Sequence, residues 1–147
     1  MLRFRVVLLA LSLAAAGQAQ DKLVIKTGEA PAAIGPYSQA IVAGGTLYCS
    51  GQIALDPASG KMVADDIQVE TRQVLKNLGA ILRAAGMDYG DVVQATVYVI
   101  DLSDYKTVNE IYGEFFKERP PARATVQVAK LPREARIEIS CIAIKSK

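Results

Sequence analysis

Ser38-Gln39-Ala40-Ile41-Val42-Ala43-Gly44-Gly45-Thr46-Leu47-Tyr48-Cys49-Ser50-Gly51-Gln52-Ile53 decides the architecture. Two β-branched and aromatic runs flank a Gly-Gly pair, and two glycines accept the positive φ angles that a tight hairpin turn demands. The chain therefore begins its sheet with an antiparallel pair. Upstream, Lys22 to Lys26 reads as a short strand that passes into a loop marked by Gly28, Pro31, Gly35 and Pro36. Downstream, Asp56-Pro57-Ala58-Ser59-Gly60 is a surface turn.

A change of period follows. Ile67, Thr71, Val74, Leu75, Leu78, Ile81, Leu82 and Ala85 recur at helical spacing, with Asp65 and Gln68 as a capping-box-like start and Gly86 as the stop. Val92 to Ile100 is a β-branched strand whose unbroken apolar end implies cover on both faces. Ser103 or Asp101 caps a second helix with Val108, Ile111, Tyr112 and Phe115 on its apolar stripe, and Pro120-Pro121 ends it. Ala124 to Ala129 and Arg136 to Ile144 are strands joined by the Leu131-Pro132-Arg133-Glu134 turn. The order predicts an α+β fold, one mixed sheet with two helices on one face. The other face then needs a cover, which is a reason to oligomerise.

The first residues read differently. Arg3 and Arg5 precede an apolar run of 11 residues, Val6 to Ala16, and then Gly17-Gln18-Ala19. A basic start, a short apolar core and a small-x-small site describe a secretory signal peptide rather than an uncleaved anchor or a buried helix. The run falls short of the ~20 residues a membrane-spanning helix needs. The expected organisation is a leader over 1–19, cleaved after about Ala19, and a single domain over 20–147, exported to the periplasm or secreted. The leader holds two arginines and no acid, so the 17 basic and 15 acidic side chains of the chain become 15 and 15 after cleavage. A neutral domain with interspersed charges carries no footprint for nucleic acid or for a membrane surface.

The chain contains no histidine and two cysteines. That excludes His-based nucleophile activation, a His general base and a His-ligated zinc. Any chemistry rests on Arg, carboxylates, hydroxyls, backbone or water. Cys49 and Cys141 each sit in an apolar strand-like run and read first as buried thiols, since a disulfide requires adjacent strands and matched faces.

Arg123 stands between two alanines after Pro120-Pro121, at the mouth of a strand. Its fork suits a carboxylate, although spacing alone favours a solvated strand-start arginine. Glu138 lies in an otherwise apolar strand, either at a half-exposed start or in a pocket that raises its pKa. Tyr37, Ser50 and Gly51 lie in hydroxyl-plus-glycine loops, which ordinarily mark turns. Asn109 would ordinarily be a surface residue of the second helix. No phosphate-binding loop, nucleophile elbow or dinucleotide fingerprint is present.

Taken in order, Ala30-Pro31-Ala32-Ala33-Ile34-Gly35-Pro36-Tyr37-Ser38-Gln39, Ser50-Gly51-Gln52-Ile53, Thr107-Val108-Asn109-Glu110-Ile111-Tyr112, Pro121-Ala122-Arg123, Leu131-Pro132 and Ile137-Glu138-Ile139 closely resemble the RidA (YjgF) family of reactive intermediate deaminases. The resemblance runs from about Val24 to Ile144. It implies a chorismate-mutase-like fold, a homotrimer with a central barrel, and three sites between subunits. It also implies cofactor-free and metal-free hydrolysis of 2-imino and enamine acids, such as 2-aminoacrylate, to 2-keto acids and ammonia. By the same resemblance Arg123 clamps the substrate carboxylate and Glu138 places and activates water. Tyr37, Ser50, Gly51 and Asn109 would line the same cleft. Thr125 and Pro120 depart from the family pattern near Arg123, and the leader departs from a mostly cytosolic family. A competing class is a non-catalytic trimeric binding or holdase-like module. A ribonuclease reading, attached to some relatives, sits poorly with neutral charge and export.

Overall fold

The computed structural model describes residues 21–63 and 66–145. The expected leader and its cleavage point therefore lie outside the described residues, as does Asp65. Eight main elements follow in order: β1 (Leu23–Ile25), β2 (Ala40–Ala43), β3 (Thr46–Gln52), α1 (Ile67–Ala84), β4 (Val92–Val99), α2 (Tyr105–Phe115), β5 (Ala122–Gln127) and β6 (Ile137–Ile144). They form one six-stranded mixed sheet, ordered β1-β2-β3-β6-β4-β5, with two helices, as the patterning predicted.

The hairpin forms as read. Ala43 pairs with Thr46, and Gly44 and Gly45 take φ of 60° and 73°, the left-handed pair that matches strand twist. Helix α1 begins one residue later than expected at its cap: Asp66 accepts from the backbone N–H of Gln68 and Val69. It ends at Gly86, whose φ is 69°. There the Gly86 N–H donates to Arg83 and the Met87 N–H to Leu82, satisfying the last carbonyls in a Schellman arrangement. The predicted stripe from Thr71 to Leu82 is buried, flanked by half-buried Ile67 and Ala85.

The second half departs from expectation in three ways. Asp101 caps a short 3-10 turn over Leu102–Asp104 rather than α2 itself, and Ser103 is the residue whose N–H it accepts. Helix α2 stops at Phe115, before the prolines, because Phe116 leaves helical geometry (φ −110°, ψ 66°). Strand β5 covers 122–127 rather than 124–129, because it runs parallel to β4 and takes its register from there, from Gln94↔Ala122 to Val99↔Gln127. The turn at Pro132–Glu134 does not join paired strands: β6 enters antiparallel between β3 and β4, leaving β5 at the edge.

The alternation of β6 divides the sheet. Ile137, Ile139, Cys141 and Ala143 are buried in one cluster with Ala95, Val97 and Val99 of β4, Leu75, Leu78 and Leu82 of α1, and Val108 and Ile111 of α2. The opposite face holds Glu138, Ser140, Ile142 and Ile144, half-buried or exposed. The cover expected on both faces at the end of β4 is only partial, since Tyr98 and Ile100 are half-buried.

Asn77 of α1 ties this core to the sheet's connecting loop. It is 1% exposed. Its Nδ2 donates to the carbonyls of Ile53 and Leu55, and its Oδ1 accepts from Gln73. Removing the amide takes the Asn77 donor from the Leu55 carbonyl and leaves the Ile53 carbonyl with the Leu55 N–H alone, so Asn77→Ala is expected to cost about 1–3 kcal/mol. Urea unfolding should show the loss as a lower midpoint at unchanged m-value.

Candidate active site

Strand register assigns the candidate residues to two separate clefts. In the β4–β6 ladder Ala95 faces Cys141 and Tyr98 faces Glu138, while in the β4–β5 ladder Ala95 faces Arg123. Aligned partners project to the same side of a sheet and successive residues alternate. Arg123 therefore projects to the helix face and Glu138 to the open face.

The first cleft is built at the exposed edge of β5 against α2. Arg123 Nη2 donates to Asn109 Oδ1 at 2.6 Å and lies 3.4 Å from the Tyr105 hydroxyl. Its guanidinium carbon stands 4.6 Å from the centroid of the Tyr112 ring and 5.8 Å from that of Tyr105. Tyr112 stacks in turn on Phe116 at 4.3 Å. The aromatic face and the amide fix one edge of the guanidinium, and among the described residues nothing occupies Nε or Nη1. That free edge is a two-pronged donor for a carboxylate. Hydrogen bonds with Asn109 and then Arg123 hold the Tyr105 phenol below its ordinary pKa. Burial pushes Tyr112 up to about 12, and its buried hydroxyl has no hydrogen-bond partner. Neither tyrosine was singled out as a site residue from sequence, where Tyr112 read as core. The i, i+4 spacing of Tyr105 and Asn109 was the available signal.

The second cleft has a volume of about 300 Å³ and includes Ile34, Tyr37, Ser50, Gly51, Pro132 and Glu138 among its walls. Its outer loop is held by Gln39, which is 4% exposed. The Gln39 amide donates to the carbonyls of Thr27, Ala30 and Pro31 and accepts from the Thr27 N–H. Gln39 is thus the post on which the Gly28–Tyr37 loop hangs, a role its place within a motif did not disclose. Tyr37 Oη accepts from the Ile34 N–H at 3.2 Å, and Ser50 Oγ donates to the Ser38 carbonyl at 2.6 Å. The β3–β6 register breaks between Cys49 and Gln52, so Ser50 and Gly51 bulge beside Glu138. A Cβ on Gly51 would overlap the Glu138 carboxylate, so a larger residue there displaces that side chain.

Six residues were expected in one cleft. Within one chain, Arg123 and Asn109 lie in one and Tyr37, Ser50, Gly51 and Glu138 in the other, and the two share no lining residue. Thr125 follows Arg123 on the helix-side parity of β5, opposite Val97, and Pro120 lines the Arg123 cleft. Among the described residues no group of three His, Cys, Asp or Glu side chains is placed to hold a metal ion.

Comparison with known proteins matches this geometry to a lineage. The sequence model of the family described as Endoribonuclease L-PSP matches residues 27–145. The chain belongs to this family, the RidA/YjgF family. A human relative named 2-iminobutanoate/2-iminopropanoate deaminase is 53% identical over 122 residues, covering 83% of this chain and 89% of the relative. Reactive Intermediate Deaminase A of Arabidopsis thaliana, chloroplastic, is 51% identical over 132 residues, covering 90% and 71%. Among solved structures, E. coli TdcF with bound serine superposes with a TM-score of 0.80 at 43% identity, covering 84% of this chain and 99% of that one. RidA of an Antarctic Psychrobacter gives 0.81 at 41%, with the same coverage.

Desolvation raises the pKa of half-buried Glu138 above its ordinary value. The folded chain then binds a proton more tightly than the unfolded chain, so stability falls as pH rises through the window between the two values. Above that window the charged carboxylate is a burden on the fold. Glu138→Gln is therefore expected to melt above the wild type at pH 7, with the gap closing in acid below the ordinary glutamate pKa. Calorimetric scans across that range read the sign directly.

Proposed function

We propose that this protein hydrolyses 2-imino acids and their enamine tautomers to 2-keto acids and ammonia. The observation that carries the reading is the Arg123 fork, braced by Asn109 and Tyr112, in a chain about half identical to relatives named imine deaminases. A small α-carboxylate suits the open edge of that fork, and serine, the ligand in the TdcF structure, carries such a group.

The chemistry needs little beyond placement. A protonated imine is electrophilic at carbon, so water held in line adds to it once a base takes its proton. Glu138, with its pKa raised by burial, receives that proton. The C–O bond forms as the C=N electrons move to nitrogen, giving a carbinolamine. Glu138 returns the proton to nitrogen; the C–N bond then breaks as the oxygen lone pair forms the C=O bond, and the hydroxyl proton passes to Glu138, releasing ammonia and the keto acid. An enamine enters this sequence by protonation at carbon. The family description names an endoribonuclease, but a mature chain with 15 basic and 15 acidic side chains offers no electrostatic attraction for a polynucleotide.

The reading includes a homotrimer in which Arg123 of one subunit faces Glu138 of the next. The opposed faces of the two residues support it. So does the open face itself, where Tyr48, Val126 and Ile144 are 48%, 42% and 49% exposed. Purified protein should accelerate the loss of an imino acid generated by an amino-acid oxidase, and both Arg123→Ala and Glu138→Gln should lose this. Mixing the two inactive variants through unfolding and refolding should restore up to about a quarter of wild-type activity, because one site in four then pairs an intact arginine with an intact glutamate. A wild type no faster than buffer that still binds keto acids would be a binding module. No recovery on mixing would overturn the shared site.

The reading also includes export. Arg3 and Arg5, the apolar run to Ala16 and the small-x-small end support a cleaved leader. Expression of the full chain in a bacterium should yield periplasmic or secreted protein whose N-terminal sequence begins near Gln20. An uncleaved chain retained in the cytosol would overturn this part.

A further inference from the structure

The two cysteines, 92 positions apart in sequence, are direct partners: Cys49 of β3 pairs with Cys141 of β6 in an antiparallel ladder. Both are buried, at 7% and 5% exposure, and both belong to the cluster beneath the helices. They thus satisfy the two conditions that sequence left open, adjacent strands and a matched face. Neither is bridged in this structure.

The Cα separation permits closure. The Ser50 N–H donates to the Gln39 carbonyl on the β2 side. The polar backbone groups of Cys49 therefore point the other way, toward β6, making Cys49 and Cys141 a hydrogen-bonded pair. Such pairs hold their Cα atoms about 5.5 Å apart, inside the roughly 4.4–6.8 Å that disulfides span. Their Cβ atoms must draw together by about 1 Å. The register break that starts at Cys49 gives β3 the slack to do so.

We propose that Cys49 and Cys141 form an intramolecular disulfide as the chain folds in the presence of a disulfide donor, locking β3 to β6 beside the Ser50–Gly51 bulge and Glu138. The donor's S–S bond is reduced to two thiols as the two cysteines lose two protons and two electrons and the Sγ–Sγ bond forms. Timing follows from burial. The hydrogen bond with Cys141, and then desolvation, push the Cys49 thiol far above its ordinary pKa. In the folded protein Cys49 therefore presents almost no thiolate for exchange, and burial keeps a donor from either sulfur. The bond closes before the helices cover the pair, and afterwards it is shielded from reductants by the same layer. It is a permanent clamp rather than a reversible switch. A 92-position loop is long enough for the restriction of the unfolded chain to matter.

The test is a thiol count on protein denatured after treatment. Reduced protein, unfolded and refolded with glutathione disulfide, should have no alkylatable thiol and a mass lower by two hydrogens. Cys49→Ala and Cys141→Ala, carried through the same protocol, should each leave one cysteine, free or capped by glutathione. Reduced protein kept folded with the same donor should retain both thiols. The closed form should melt on the order of 5–10 °C above the reduced form. Two alkylatable thiols after oxidative refolding, a covalent dimer, or a closed form that melts lower would each overturn the proposal. Rapid closure in the folded protein would overturn its timing. None of these readouts depends on catalysis or on the leader.

Discussion

The two-residue alternation of side chains along β4, β5 and β6 governs what this fold can do. Because Arg123 aligns with Ala95 and Glu138 with Tyr98, an odd number of steps along β4 separates them, and they project to opposite sides of one sheet. No rotamer change brings them together, since a one-residue slip would also carry Ile137, Ile139 and Cys141 out of the core. The apolar pattern that stabilises the subunit thus denies it a site containing both groups. Any chemistry that uses the pair is a property of an assembly.

Each cleft is braced from within the subunit. On the helix side the guanidinium rests on Tyr112, which rests on Phe116, while Tyr89 meets Phe115 and Phe116 edge-on at 5.5 and 5.3 Å. On the open side the polar rim depends on buried amides. Gln39 holds the loop that carries Tyr37, Asn77 holds the carbonyls following the bulge, and Gln52 donates to the carbonyls of Ser50 and Gly51. These amides replace the ladder hydrogen bonds that irregular backbone gives up. Loops held this way present donors in fixed directions, which a positioning mechanism requires.

How much of this was legible follows the range of the forces involved. Gly44-Gly45, Gly86 and the stripe from Thr71 to Leu82 act through local backbone and nearest neighbours, and their reading matched the structure. The cap moved from Asp65 to Asp66 because two adjacent aspartates offer the same signal and only geometry chooses between them. The bounds of β5 and its separation from β6 were not legible, because a parallel partner is reached through a helical crossover that leaves no mark between the strands. Likewise Arg123, Glu138 and Asn109 could be named, yet their division between two clefts depends on register. Tyr105 and Gln39 were missed because their partners lie across the fold or behind a loop.

The proposed assembly also bears on the electrostatics of the pair. In the isolated subunit Glu138 is half-buried, and desolvation alone raises its pKa; among the described residues no cation is paired with it. In the proposed trimer a second sheet edge over that cleft would remove more water and bring a guanidinium nearer, two effects that oppose each other. If the arginine sat against the carboxylate, attraction would lower the pKa and consume the fork in an ion pair. Tyr112 and Asn109 prevent that by holding the guanidinium on its own subunit. Under the proposed function, a small carboxylate-bearing substrate in that gap would neutralise the arginine and leave the glutamate basic at the far end. A site without histidine could work this way, with desolvation rather than imidazole setting the proton affinity of its base.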